Sequence, residues 1–277
     1  MPSDSPSTAA LDERSLYLRR LAMRGILGPN RGHVGATLSL MEMVRVLYDS
    51  ILRYRPDDPA WPERDRFILS KGHGCLAQYA LLAEKGFFSV EALDDAFGLD
   101  SFLGGHPERG PIPGVEASTG ALGHGLPIGL GMARAARLRG AAWRVFVMAG
   151  DGEMDEGSMW EAAMAAGRDG LENLTLLIDY NHIQSYGPVD AVQPLEPLAA
   201  KLESFGFAVA EVDGHDVAAL ESALGGVPFT AGRPSALVAH TIKGRGLPDA
   251  ENDPTWHHKA RFSDEQRAAM LAALGGT

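Results

Sequence analysis

The chain has 277 residues, 45% of them hydrophobic, and a net charge of −11. That length supports one large α/β domain with a sizeable core, no apolar run is long enough to span a bilayer, and the N-terminus shows no signal-peptide pattern. The acidity argues against a nucleic-acid backbone as partner, and the lone Cys75 excludes an internal disulfide and fits a reducing cytoplasm.

Residues 1–10 read as a disordered lead-in, and residues 11–277 as a single domain without repeats or low-complexity linkers. Helical patterning covers Asp12 to Leu27, Leu38 to Leu52, Cys75 to Lys85, Val90 to Phe97 and Gly125 to Leu138. Further on it covers Ser158 to Arg168, Leu195 to Phe205, Asp216 to Leu224 and Ser263 to Leu274. Strand candidates are Phe67 to Leu69, Arg144 to Ala149, Leu174 to Tyr180, Phe207 to Val212 and Ala236 to His240. Strands alternating with helices predict an α/β fold, a mostly parallel sheet with helices on both faces. The Gly- and Pro-rich stretch from Gly104 to Gly123 is of a length that is usually functional or disordered.

The most informative run lies in the middle. An apolar strand ends abruptly at Gly150-Asp151-Gly152, and a second ends at Asn181, twenty-eight residues further on. With the intervening helix this is a βαβ crossover, which sets Asp151 and Asn181 side by side at the carboxyl ends of adjacent parallel strands. One carboxylate, one amide oxygen and a loop carbonyl near Ile183 form a hard-oxygen half-shell for a small dication that keeps phosphate ligands. A helix starting after Gly152 would aim its N-terminus at the same place, so a metal-bridged diphosphate fits. Gly-Asp-Gly is also an ordinary tight turn; the paired strands and the spacing to Asn181 weigh against that bland reading.

Nine histidines are present, and five follow a glycine: His33, His73, His106, His124 and His215. Such pairs let the backbone approach a ligand and aim an imidazole from a loop, though any single one is as readily structural. No pair has the i, i+4 spacing of a zinc helix, so a dispersed set converging on one pocket suits proton handling and oxyanion contacts better.

The Gly-Asp-Gly…Asn pattern resembles the thiamine-diphosphate motif, and more closely its transketolase branch. Arg31-Gly32-His33-Val34-Gly35, Ser70-Lys71-Gly72-His73-Gly74, Gly105-His106-Pro107-Glu108, Ser118-Thr119-Gly120-Ala121-Leu122-Gly123, Asp213-Gly214-His215-Asp216, Lys243-Gly244-Arg245-Gly246 and Trp256-His257-His258-Lys259 are similar to transketolase segments in the family's order. The resemblance covers residues 12 to 265. It implies thiamine diphosphate as cofactor with Mg²⁺ (or Ca²⁺ or Mn²⁺) held by Asp151, Asn181 and the Ile183 carbonyl within the Gly150-Asp151-Gly152 motif. It further implies that His73 and His257 contact the diphosphate, and that Gly120 and Leu122 line the cofactor channel. Glu156 would brace the metal loop, Lys243 would stand near the diphosphate unless it is simply solvated, and Glu153 and Asp155 would be plain helix charges. His33, His73, His106 and His257 would be catalytic. They would surround the reacting carbon, stabilise the alkoxide and take the hydroxyl proton as the carbon–carbon bond breaks. The implied activity moves a two-carbon ketol unit from a ketose, or ketose phosphate, to an aldose acceptor in cytoplasmic pentose phosphate metabolism.

Four departures stand out. Val34 replaces a Pro, His124 a Gln, and His258 a Gly, and Ser185-Tyr186 sits where the family reads Ile-Asp or similar. They put the usual sugar phosphate in question and motivate an alternative, a ketol transferase for an unusual or natural-product sugar. A transketolase chain is more than twice as long and carries pyrimidine-binding and C-terminal domains, which hold an activating glutamate and the acceptor-phosphate arginines. The expectation is therefore an N-terminal subunit that pairs with a separate C-terminal subunit bearing the pyrimidine-binding domain, in an α2β2 heterotetramer with the site between chains. The alpha chain of a 2-oxo-acid dehydrogenase shares the cofactor motif, but the Gly-His segments and Trp256 to Lys259 argue against it. A catalytically inactive scaffold is the non-enzymatic alternative, and the intact Asp151, Asn181 and histidines argue against that.

Overall fold

The computed structural model describes residues 10–28, 31–259 and 261–276. The expected lead-in lies outside the described residues apart from Ala10, an exposed coil position. No helix among the described residues is long and apolar enough to cross a membrane.

Helix α1 (Glu13–Leu27) starts where Asp12 accepts the Ser15 N–H at 2.7 Å, which satisfies one of the orphan donors of the first turn. The helix expected over Leu38 to Leu52 is instead α2 (Val34–Ser39) and α3 (Met41–Val46), broken at Leu40 and followed by one π turn over Leu47–Ile51. The sequence Val-Gly-Ala-Thr-Leu-Ser of α2 is poor in helix formers, so no local pattern announces it; the segment is held by being buried along its whole length. Strand β1 (Arg66–Leu69) leads into α4 (Cys75–Glu84). The stretch expected as a helix over Val90 to Phe97 is a 3₁₀ turn, Val90–Asp95, with Leu93 alone buried. Helix α5 (Gly125–Arg139), strand β2 (Val145–Gly150), helix α6 (Gly157–Asp169) and strand β3 (Leu174–Tyr180) follow, and both helices end on a left-handed glycine, Gly140 and Gly170.

A small antiparallel hairpin comes next, β4 (Ile183–Gln184) against β5 (Gly187–Pro188), with Ser185-Tyr186 as its two-residue turn. It is too short to show periodicity in the sequence. Helix α7 (Val189–Val192) precedes α8 (Leu198–Ser204), which begins three residues later than expected because Pro194 and Pro197 punctuate its approach. Strand β6 (Ala208–Asp213), helix α9 (Val217–Gly225), strand β7 (Ser235–His240) and helix α10 (Asp264–Ala273) complete the chain.

The five long strands form one parallel sheet in the order β1-β2-β3-β7-β6. Side chains alternate between two cores. Phe67, Leu69, Phe146, Met148, Leu177 and Leu237 pack beneath α1, α3 and α4, while Ile68, Val145, Val147, Leu176 and Val238 pack beneath α5, α6 and α8. Burial on both faces is what makes these strands read as near-continuous apolar runs.

A fully buried network ties α1 to α3 and to the loop after β7. Arg19 Nη2 donates to Glu42 Oε2 at 2.9 Å and to the Leu38 carbonyl at 3.1 Å, and its Nε donates to the Arg245 carbonyl at 2.9 Å. His215 Nδ1 lies 2.9 Å from Glu42 Oε2, and His215 Nε2 accepts the Ile242 N–H at 2.8 Å. Burial pushes the Glu42 carboxyl up, but the Arg19 charge and the His215 hydrogen bond outweigh it and hold the group well below the usual carboxylate range.

Candidate active site at the carboxyl ends of the strands

Strands β1, β2, β3 and β7 all end at one cavity of about 630 Å³. From β1 comes Lys71, from β2 Gly150, Asp151 and Gly152, from the end of β3 Asn181, and from beyond β7 Lys243. Asp151 Oδ1 accepts the Gly152 N–H at 2.7 Å and Oδ2 accepts the His182 N–H at 2.5 Å. Asn181 Oδ1 accepts the Ile183 N–H at 3.2 Å, and the Ile183 carbonyl accepts from Lys243 Nζ. Asp151, Asn181 and Ile183 thus line one wall, with spare acceptor capacity on each oxygen.

Behind them Asp179 collects donors from Lys71, Thr241, Ser39 Oγ at 2.5 Å and Asn181 Nδ2 at 3.2 Å. Burial pushes the Asp179 carboxyl up, yet the Lys71 charge and these hydrogen bonds overcome it and keep the group low. Asp151 has no such company. Burial and the neighbouring Asp179 carboxylate push it up to about 6. A buried carboxylate short of positive charge, flanked by an amide oxygen and a carbonyl, is a donor set that a hard dication fits, and the Lys71 and Lys243 ammoniums complement a diphosphate.

Several details differ from the sequence-based expectation. No α-helix starts directly after Gly152: a 3₁₀ turn, Gly152–Asp155, intervenes before α6, so the wall is closed by side chains rather than by an aligned helix end. Glu153 is not a plain helix charge. It is 2% exposed and accepts from Ser70 Oγ at 2.5 Å, the Gly123 N–H at 2.9 Å and the Gly150 N–H at 3.3 Å, clamping three loops together. Asp155 accepts from Gln184 Nε2 at 3.1 Å rather than facing solvent alone. The bracing expected of Glu156 is therefore done by Glu153, while Glu156 stands exposed on the cavity rim. Lys243 is buried, not solvated: it donates to His257 Nδ1 at 2.8 Å as well as to Ile183.

Of the five Gly-His pairs, three converge. His33 stands 5.4 Å from His73, 6.5 Å from His106 and 5.8 Å from His257, centroid to centroid, and all four line the cavity. His124 instead precedes α5, with Nδ1 3.0 Å from the Leu122 carbonyl, and His215 belongs to the Arg19–Glu42 network. Burial, then like-charged neighbours, lowers His33 to about 4; burial, then Lys243, lowers His257 to about 2; His73 is also far below its ordinary value, mainly through burial. These imidazoles are neutral at physiological pH, able to accept a proton or donate a hydrogen bond.

The loop from 104 to 123 is ordered against the sheet: Thr119 Oγ1 donates to the Leu69 carbonyl at 2.7 Å, and Arg64 grips Glu116 with two bonds of 2.6 and 2.8 Å. Gly120 sits at φ +129°, and a Cβ there would lie 2.8 Å from His106 Cδ2, so glycine is required for the close approach. Lys71 and Asp179, an ion pair at the back of the cavity, are site residues that the sequence does not announce. One sits beside a Gly-His pair and the other is a single polar residue in an apolar strand, and neither spacing nor pattern separates them from structural charges.

Comparison with known proteins agrees with this arrangement. The family described as "Transketolase, thiamine diphosphate binding domain" matches residues 12–276. An apulose-4-phosphate transketolase subunit of Actinobacillus succinogenes is 40% identical over 261 residues, 94% of each chain. The 6-deoxy-6-sulfo-D-fructose transketolase subunit SqwG of a Clostridium species is 38% identical over 264 residues, 95% of this chain and 96% of that one. Among solved structures, transketolase from Leishmania mexicana superposes with a TM-score of 0.89 at 33% identity, covering 98% of this chain and 42% of its own. The chain thus spans about two fifths of that solved transketolase. Fold and site together define the class as a thiamine-diphosphate-binding α/β domain. The chain belongs to the transketolase family, as its N-terminal, thiamine-diphosphate-binding part.

Proposed function

We propose that this chain is the cofactor-binding component of a two-component transketolase that moves a two-carbon ketol unit from a ketose donor to an aldose acceptor. The observation that carries the reading is the convergence of a hard-oxygen wall and a neutral imidazole wall on one cavity. Asp151, Asn181 and the Ile183 carbonyl would hold Mg²⁺, and Lys71, His73, Lys243 and His257 would meet the diphosphate. Thiamine diphosphate, when bound, supplies the carbanion chemistry that breaks and remakes the carbon–carbon bond. The chain's own residues orient and handle protons. His257, whose Nδ1 accepts from Lys243, offers Nε2–H to a developing alkoxide, while His33 and His106 reach the donor's hydroxyls from the opposite side.

The relatives named as single subunits of a transketolase support a second chain carrying the pyrimidine-binding domain, in an α2β2 assembly. Their names also specify unlike sugars, apulose 4-phosphate and a sulfonated deoxyfructose. Together with Ser185 and His258 at the cavity mouth, they support a donor outside the ordinary pentose phosphates.

The test is calorimetric titration of thiamine diphosphate with Mg²⁺ into this chain, alone and mixed with the C-terminal transketolase subunit encoded beside it. Ketol transfer from a panel of ketoses only in the mixture is the expected result. Absence of binding in both states would overturn the proposal in favour of an inactive scaffold.

A further inference from the structure

At the mouth of the cavity His33, His257 and His258 bring one ring nitrogen each within 4.8 Å of the others. The cluster has the look of a metal site, but the hydrogen bonds around it decide otherwise. Ser185 Oγ lies 3.1 Å from His257 Nε2 and 3.1 Å from His258 Nε2, and His258 Nδ1 lies 3.1 Å from His33 Nε2. At the far end Lys243 Nζ meets His257 Nδ1 at 2.8 Å.

An ammonium can only donate, so the direction of every bond in this chain follows from its first member. Lys243 donates to His257 Nδ1, which leaves the proton of that ring on Nε2. His257 Nε2–H then donates to Ser185 Oγ, the Ser185 hydroxyl donates to His258 Nε2, and His258 Nδ1–H donates to His33 Nε2. His33 is left with its proton on Nδ1. Each atom is used once and no donor faces a donor. Every ring nitrogen on the chain between Lys243 and His33 is thereby engaged, so none of the three facing nitrogens keeps a free lone pair for a metal.

We propose that Ser185 and His258 are positioning residues that fix the tautomers of His257 and His33, making one directed relay of the two imidazoles. Both come from places where the sequence departs from the family: Ser185 from the turn between β4 and β5, and His258 from the position beside His257. Ser185 reaches the rings because that two-residue turn folds back over the cavity, whose lining includes Ser185 and His258. The relay turns His257 into a fixed Nε2–H donor and gives His33 a single tautomer before any sugar arrives, a preorganisation that otherwise has to be established on binding. Neither Ser185 nor His258 is required to touch the reacting atoms.

The catalytic consequence rests on the proposed transketolase activity, whereas the tautomers do not, and the experiment keeps them apart. Imidazole ¹⁵N NMR of the full chain reads directly which nitrogen of each ring carries the proton. The wild-type chain is expected to show His257 and His258 each as a single tautomer, Nε2–H and Nδ1–H respectively, with His33 as Nδ1–H. In Ser185→Ala, His258 and His33 become tautomer mixtures while His257, still held by Lys243, does not; Ser185→Thr restores the wild-type pattern. In the assembled enzyme, Ser185→Ala lowers kcat about tenfold, the scale of one lost hydrogen bond, with cofactor affinity unchanged, and Ser185→Thr recovers it. Unchanged tautomers in Ser185→Ala, or Zn²⁺ at stoichiometric level broadening the three rings together in the Mg²⁺-loaded chain, overturn the proposal, the latter in favour of a metal site. If the relay is present but no ketol transfer occurs with any pairing of the two components, the functional reading fails and the relay stands.

Discussion

Asp151 and His106 occupy opposite walls of one cavity, and their truncations separate binding from turnover. Asp151→Ala removes the charged member of the oxygen wall, so calorimetry should find binding of Mg²⁺ and thiamine diphosphate abolished; undiminished affinity would remove Asp151 from the metal set. His106→Ala, on an exposed loop, should leave cofactor binding intact and lower turnover by about 10²–10⁴-fold, the usual range for a positioned proton-transfer group. Glu153 poses a different case. Its two oxygens accept from Ser70, Gly123 and Gly150, so Glu153→Gln must turn an amide N–H₂ toward at least one N–H donor. Urea unfolding should show a loss of about 1–3 kcal/mol, the cost of an unsatisfied buried group. The placement of Asp151 and Asn181 is legible in the sequence because spacing alone puts them on adjacent strand ends. That of Glu153 is not, since three residues after a strand end a carboxylate looks like a helix-start charge, and only the 3₁₀ turn points it inward.

At the scale of elements, the strands are readable and the N-terminal helices are not. Runs such as Leu174 to Tyr180 are apolar because both faces are covered, a signal carried by composition itself. Helices α2 and α3 owe their form to neighbours: Gly35 lies where a Cβ would meet Lys243 Cγ at 3.0 Å, so the sequence there serves close approach rather than helix propensity. His215 likewise reads as a site histidine in sequence and turns out to be the clasp between α3 and the strand β7 exit. Arg19→Ala removes the cation from this clasp and strands a buried carboxylate. A destabilisation of roughly 3–5 kcal/mol is expected by denaturant titration, and an Arg19→Ala chain as stable as wild type would show that Glu42 finds water or a proton instead.

For the whole molecule, Cys75 is a built-in reporter. It is 1% exposed, and burial pushes its thiol up to about 12, so at pH 8 neither access nor thiolate is available. Alkylation by iodoacetamide should be negligible in the native chain and complete in urea; rapid labelling of the native chain would mean that α4 opens readily. At this scale the sequence conveys a parallel sheet with a site at its strand ends. It cannot convey how the walls of that site meet, because His33 and His257 are brought within 5.8 Å of each other from opposite ends of the chain.

That meeting has a consequence for how such a protein changes over time. The oxygen wall stands on the tips of β2 and β3, whose residues are also the core, so an alteration there disturbs the frame. The imidazole rim stands on a two-residue turn and on the stretch around His257, each replaceable without repacking a strand. Because Ser185 and His258 share one hydrogen bond across seventy-three positions, a lineage that exchanges either is pressed to exchange the other. New sugar preferences should therefore arise by paired drift at the rim over an unaltered socket.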